Sequence, residues 1–119
     1  MPVRSLNSSV LVWPNRAQVD EAIRRWAEAA LASHPDVRRL GYFGSYARAD
    51  WGFGSDLDLL AIVAASDEPR ERRAVGWDLA ALPVPAEILI YTEREWSDLA
   101  AVGGRFWRTL EKDAVWLVP

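Results

Sequence analysis

The chain has 119 residues, half of them apolar and about a quarter charged, a size and balance suited to one compact domain, 1–119, and too small for a two-domain enzyme. It contains no cysteine and a single histidine, His34, which excludes disulfide frameworks, zinc–thiolate and iron–sulfur sites, cysteine nucleophiles and multi-histidine metal centres. Fourteen basic residues stand against 17 acidic ones, a net charge of −3, the wrong sign for a protein that neutralises many phosphates, so nucleic acid is a disfavoured partner.

The first residues carry no apolar run of signal-peptide length, and the longest apolar stretch, 59–65, is far too short to span a bilayer. A cytoplasmic protein without membrane contact is expected. Residues 16–33 place Val19, Ile23, Trp26 and Ala30 at helical spacing, with Asp20–Arg24 and Glu21–Arg25 as i,i+4 pairs, and predict an amphipathic helix ending near His34-Pro35. Residues 37–43 read as a strand running into Gly41 and Gly44, and a short helical turn follows from Ser45. The most apolar run, 57–64, has the length of a buried central strand. Pro69 then suits a first helical position, predicting a helix to about Ala81 with Ala74, Val75, Leu79 and Leu82 toward the core. Residues 87–91 form a further strand, Thr92 with Glu95 fits a capping box for a helix to about Ala100, a last helix covers 105–111 and a short strand covers 114–118. The connection 45–55 is too short for a regular parallel crossover. The expected fold is therefore α/β (α+β): a small mixed sheet with helices mainly on one face.

One segment carries chemistry. Asp56 and Asp58 are two apart at the mouth of a strand, so their side chains share a face with Cα atoms roughly 6.5–7 Å apart. Paired carboxylates of this kind can share hard cations, and magnesium favours one or two carboxylates together with phosphate oxygens. Gly44 and Ser45 open a helical turn whose free amides and hydroxyl suit a phosphate group. Glu87 lies in the next strand, and if that strand neighbours 57–64 its carboxylate reaches the same cations; otherwise it is a surface group after a proline turn. Arg48 either neutralises phosphate charge or pairs with Asp50, and His34 suits a structural place at a helix end. Trp51 and Phe53, between the two halves of the motif, either pack on the core or stack on a base or partner. The remaining tryptophans fall mostly on apolar stripes and read as packing. The charged stretch 68–73 reads as a solvated helix face.

On these residues the sequence resembles the minimal nucleotidyltransferase domains of the DNA polymerase β superfamily. Gly44-Ser45, ten residues, then Asp56-Leu57-Asp58 follow that family's Gly-Ser-x10-Asp-x-Asp signature, with Tyr42-Phe43 before it, Ala47-Arg48 inside it and Leu59 to Val63 continuing the strand. Residues 84–92 look like the strand of the family's third carboxylate and 106–117 like its closing helix and strand, so the resemblance covers nearly the whole chain. Two positions depart from the pattern: Glu87 stands where aspartate is usual, and Ala49 where a glycine often follows the arginine.

The resemblance implies transfer of a nucleoside monophosphate, AMP from ATP, to a hydroxyl, with pyrophosphate leaving. Asp56 and Asp58 would bind two Mg2+ ions, Glu87 would complete the second metal site and help deprotonate the hydroxyl, and Gly44, Ser45 and Arg48 would bind the nucleotide. Stand-alone family members of this size are often encoded beside a HEPN-family toxin and serve as its antitoxin, which implies AMP transfer to a tyrosine of that toxin, complex formation with it, or both. Two alternatives stand beside this one: a non-catalytic partner-binding antitoxin on the same fold, and nucleotidyl transfer to a small molecule, in which a homo-oligomer would supply the acceptor pocket.

Overall fold

The computed structural model describes residues 3–4, 11–12, 15–48 and 56–118. Asp50, Trp51, Phe53 and Trp13 lie outside the described residues. In chain order the elements are β1 (Val3–Arg4), β2 (Leu11–Val12), α1 (Arg16–Ser33), β3 (Val37–Phe43), α2 (Ser45–Arg48), β4 (Leu57–Val63), β5 (Ala86–Thr92), α3 (Glu93–Val102), α4 (Arg105–Asp113) and β6 (Val115–Val118). The two short strands pair with each other, and the other four form one sheet in the order β5-β4-β3-β6. β4 runs antiparallel to β3 and parallel to β5, and β6 runs antiparallel to β3. The sheet is mixed, as the short link between β3 and β4 requires.

Helix α1 begins where local chemistry dictates. The Asn15 side chain accepts from the Gln18 N–H at 2.9 Å, and the Gln18 side chain accepts from the Asn15 N–H at 2.9 Å, so two of the orphan donors at the helix start are satisfied reciprocally. Val19, Ile23, Trp26, Ala27 and Ala30 are buried against Leu40, Leu57, Leu59, Ala61 and Val63. Glu21 pairs with Arg25 as the spacing predicts, whereas Asp20 pairs with Arg16 at 3.7 Å rather than with Arg24.

The helices do not keep mainly to one face. Successive β4 side chains alternate between two cores: Leu57, Leu59, Ala61 and Val63 meet α1, while Leu60 and Ile62 meet Tyr91, Leu110, Trp96 and Leu99 beneath α3 and α4. A strand apolar on both faces must be covered on both, and α3 and α4 supply the second cover. Trp96 of α3 lies edge-on to Trp107 of α4 at 4.8 Å and to Trp116 of β6 at 5.8 Å.

The segment 69–82 is not the continuous helix its spacing predicts. It makes two single 3-10 turns, Arg70–Arg72 and Leu79–Ala81, neither with a side-chain cap. Gly76 between them has φ +93°, which breaks helical propagation, and Val75 is 78% exposed rather than core-facing. Long-range contacts take the segment elsewhere. Trp77 stacks on His34 at 4.1 Å and lies 5.8 Å from Trp26, and Trp26 Nε1 donates to the Asp78 carbonyl at 2.9 Å. Arg73 turns inward instead of facing solvent: Nε donates to the Glu68 carbonyl at 2.9 Å, Nη1 donates to the Ile90 carbonyl at 3.0 Å, and the guanidinium forks onto Glu95. Glu95 also accepts from the Thr92 N–H, completing the predicted capping box of α3.

Candidate active site

Strand register assembles the site. Phe43 in β3 lies opposite Asp58 in β4, and Asp58 lies beside Glu87 in β5. Residues paired directly across neighbouring strands point to the same face, so Phe43, Asp58 and Glu87 form one row across three strands on the α3–α4 side of the sheet. The mouth of β4 is fixed to the entry of β5 by the Leu57 N–H, which donates to the Pro85 carbonyl at 2.8 Å. Asp56 precedes this anchor and is exposed, Asp58 is half-buried and Glu87 is exposed.

On the other side of Asp58 the chain turns from β3 into α2 through Gly44, at φ +77°. The left-handed backbone favours glycine there, and a Cβ would meet Asp58 Oδ2, so the carboxylate would have to shift to admit one. The turn is closed by the Arg48 N–H, which donates to the Gly44 carbonyl at 3.0 Å. Ser45, half-buried, is the first residue of α2.

The electrostatics of the row follow from its geometry. Burial pushes the Asp58 carboxyl above its ordinary value, and the negative charges of Glu87 and Asp56 push it further, while Arg48 opposes them. Asp58 thus feels both neighbouring acids as like charges, a repulsion that a bound cation would relieve. Among the described residues, no three acidic or histidine side chains are gathered closely enough to hold one ion by themselves. The donor chemistry nevertheless fits magnesium, which takes one or two carboxylates and completes its shell with phosphate oxygens and water.

Arg48 also forms an ion pair, Nη1 to Asp113 Oδ2 at 3.6 Å, at the end of α4. The Asp113 side chain is only 14% exposed, so α4 is tied to α2 across the site. Sequence reading did not single out Asp113, since an acid at a helix end carries no local signal. Phe43 meets Phe106 of α4 edge-on at 6.1 Å, and Phe106 is 39% exposed. A cavity of about 400 Å³ has Phe43, Asp58, Glu87, Ala74 and Leu79 among its lining residues. His34 lies in the stack with Trp77, the structural place expected for it.

Residues 23–103 match the family model of the nucleotidyltransferase domain, and the chain belongs to that family. Its fold is similar to that of a Sulfolobus solfataricus protein provisionally assigned as a nucleotidyltransferase: the TM-score is 0.61 at 20% identity, over 85% of this chain and 80% of that one. A chain in a crystal structure of a toxin–antitoxin with AMP-PNP aligns over 87% of this chain and 73% of its own length, at 17% identity and a TM-score of 0.49. No curated protein gives a significant match. Among the described residues, no helix is long and apolar enough to cross a membrane.

Proposed function

We propose that the protein transfers AMP from ATP to a hydroxyl group, acting in the cytoplasm as the antitoxin of a HEPN-family toxin. The observation that carries the transfer reaction is the row of acids with a glycine turn pressed against its central member: Gly44 meets Asp58, and Asp58 lies beside Glu87. Membership of the nucleotidyltransferase family supports the same chemistry. The antitoxin role rests on the resemblance of the Gly44-Ser45 to Asp56-Leu57-Asp58 motif to that of the family's antitoxin members.

Gly44 lets backbone approach the triphosphate, and the Ser45 hydroxyl donates to it. Arg48, near enough to lower the Asp58 carboxyl, adds positive charge on that side. Asp56, Asp58 and Glu87 are the residues that would hold two Mg2+ ions. Bound magnesium neutralises the triphosphate and makes the attacking hydroxyl more acidic. Glu87, the most open of the β-sheet acids, accepts the hydroxyl proton. The oxygen then forms its bond to the α-phosphorus as the bond to the pyrophosphate oxygen breaks, and pyrophosphate leaves with the electron pair.

The test is isothermal titration with ATP, with and without magnesium, on the wild type and on the Asp56→Asn, Asp58→Asn double variant. Asparagine keeps the shape of each side chain and removes the charge that holds the cation. Magnesium-dependent binding that the double variant lacks is expected. A folded wild type that binds no ATP, alone or with its toxin present, would overturn the catalytic reading in favour of a protein that neutralises its partner by covering it. In cells, the same double variant should fail to protect against the toxin.

A further inference from the structure

We propose that Asp113, the last residue of α4, is the positioning residue for Arg48: it holds the guanidinium beside Asp58, ready to meet the triphosphate. The inference rests on the nucleotidyl-transfer reading, because phosphate is what Arg48 meets there. Two observations put the pair at the site. Arg48 is close enough to Asp58 to lower its carboxyl, and its N–H closes the turn onto the carbonyl of Gly44, the residue next to Asp58 Oδ2. Helix α4 covers the same face of the sheet, since its Phe106 meets Phe43, and Phe43 lies opposite Asp58 in the strand register.

The fold fixes Asp113 from both sides. Before it, Leu110 is buried with Leu60 and Ile62 and accepts from the Ala114 N–H at 2.9 Å. After it, Val115 pairs with Tyr42 of β3. The Asp113 carboxylate stands at the C-terminal end of a helix, where the dipole disfavours negative charge, and it is mostly shielded from water, so a cation beside it is needed. Arg48 supplies that cation through Nη1. Arg48 itself ends a helix of four residues, and its side chain is 44% exposed; a long side chain of this kind has rotamer freedom that phosphate binding must remove. Engaging Nη1 removes part of it beforehand, while the guanidinium keeps its charge and its planar fork of donors. Loss of the carboxylate therefore has opposite consequences under two accounts. By charge alone, one acid fewer near the site attracts ATP more strongly. By positioning, a loosened Arg48 binds it less well.

The experiment is a magnesium-ATP isothermal titration of the wild type, Asp113→Asn, Arg48→Gln and the variant carrying both, with an amide spectrum reporting that each is folded. Arg48→Gln should weaken binding about tenfold or more. Asp113→Asn should weaken it about three- to tenfold, and should add nothing in the Arg48→Gln background, where there is no guanidinium to hold. Asp113→Glu, which restores the charge, should recover most of the affinity. Unchanged or tighter binding by folded Asp113→Asn would overturn the assignment, as would an equal loss with and without Arg48, or no recovery in Asp113→Glu. A second measurement needs no variant: in the ATP-free wild type, nitrogen NMR should show restricted rotation of the Arg48 guanidinium, and free rotation would overturn its ordering by Asp113. A wild type that binds no magnesium-ATP defeats the transfer reading and this inference with it, whereas a wild type that binds while the double-variant comparison fails defeats only the role of Asp113.

Discussion

Glu95 has two tasks, capping α3 and holding Arg73, and Glu95→Gln separates them. The amide oxygen can still accept from the Thr92 N–H, but the charge opposite Arg73 is gone. In the folded protein the hydrogen bonds from Arg73, aided by the Thr92 N–H, hold the Glu95 carboxyl down to about 2, against an ordinary value of 4.5. At about 1.4 kcal/mol for each pKa unit this difference corresponds to roughly 3 kcal/mol. The Glu95 side chain is 33% exposed, and solvent screening brings the expected contribution to about 1–2 kcal/mol. Because the folded value is depressed, the stabilisation is fully present above the unfolded value near 4.5 and is lost as pH falls from there toward about 2. Urea unfolding followed by tryptophan fluorescence measures it directly. Wild type should exceed Glu95→Gln by about 1–2 kcal/mol near neutral pH, and the gap should close steadily below about pH 4.5. A gap of the same size near neutrality and near pH 2 would refute the electrostatic account and leave cap geometry as the cause.

Two further outcomes follow from the site. Gly44→Ala places a side chain at φ +77° and against Asp58 Oδ2, so it should lower stability by about 1–2 kcal/mol from the left-handed backbone alone and weaken magnesium-ATP binding; thermal melting and titration check both. Asp58→Asn should do the opposite to stability while abolishing magnesium-dependent nucleotide binding. The Asp58 carboxyl is raised by burial and by its acidic neighbours, so its charged form disfavours the folded state above the unfolded pKa, and the neutral side chain removes that cost. The urea midpoint near neutrality should rise in this variant, and magnesium should raise the midpoint of the wild type only.

Elements built from short-range chemistry are legible in the sequence. The helical stripe of α1, the Thr92–Glu95 capping box and strand β3 stand where spacing puts them. The cover on both sheet faces was encoded too, in the unbroken apolar run from Leu59 to Val63, although the expectation placed helices mainly on one side. Segment 69–82 was not legible. Its Ala74, Val75 and Leu79 have helical spacing, but the outcome is decided by Trp77 against Trp26, 51 positions away in sequence, and by Arg73 against Glu95, 22 away. The site shows the same division. The two-residue step from Asp56 to Asp58 is local, whereas the neighbourhood of Asp58 and Glu87 depends on β5 lying parallel to β4. Arg48 finds Asp113 only because α4 folds back over the sheet, a tertiary fact with no signature near either residue.

Strand β6 seats against β3 where Gly41 faces Trp116, and a Cβ on Gly41 would strike the Val115 carbonyl. The slot that receives β6 is therefore made by an absent side chain, and it is filled by residues near the end of the described chain. During synthesis β3, β4 and β5 leave the ribosome before β6 does, so β3 is a bare sheet edge for that interval, with its backbone donors and acceptors open to any other extended chain. β6 is thus the nascent protein's own guard against mispairing at β3, and the interval before it docks is one in which a chaperone has an edge to protect.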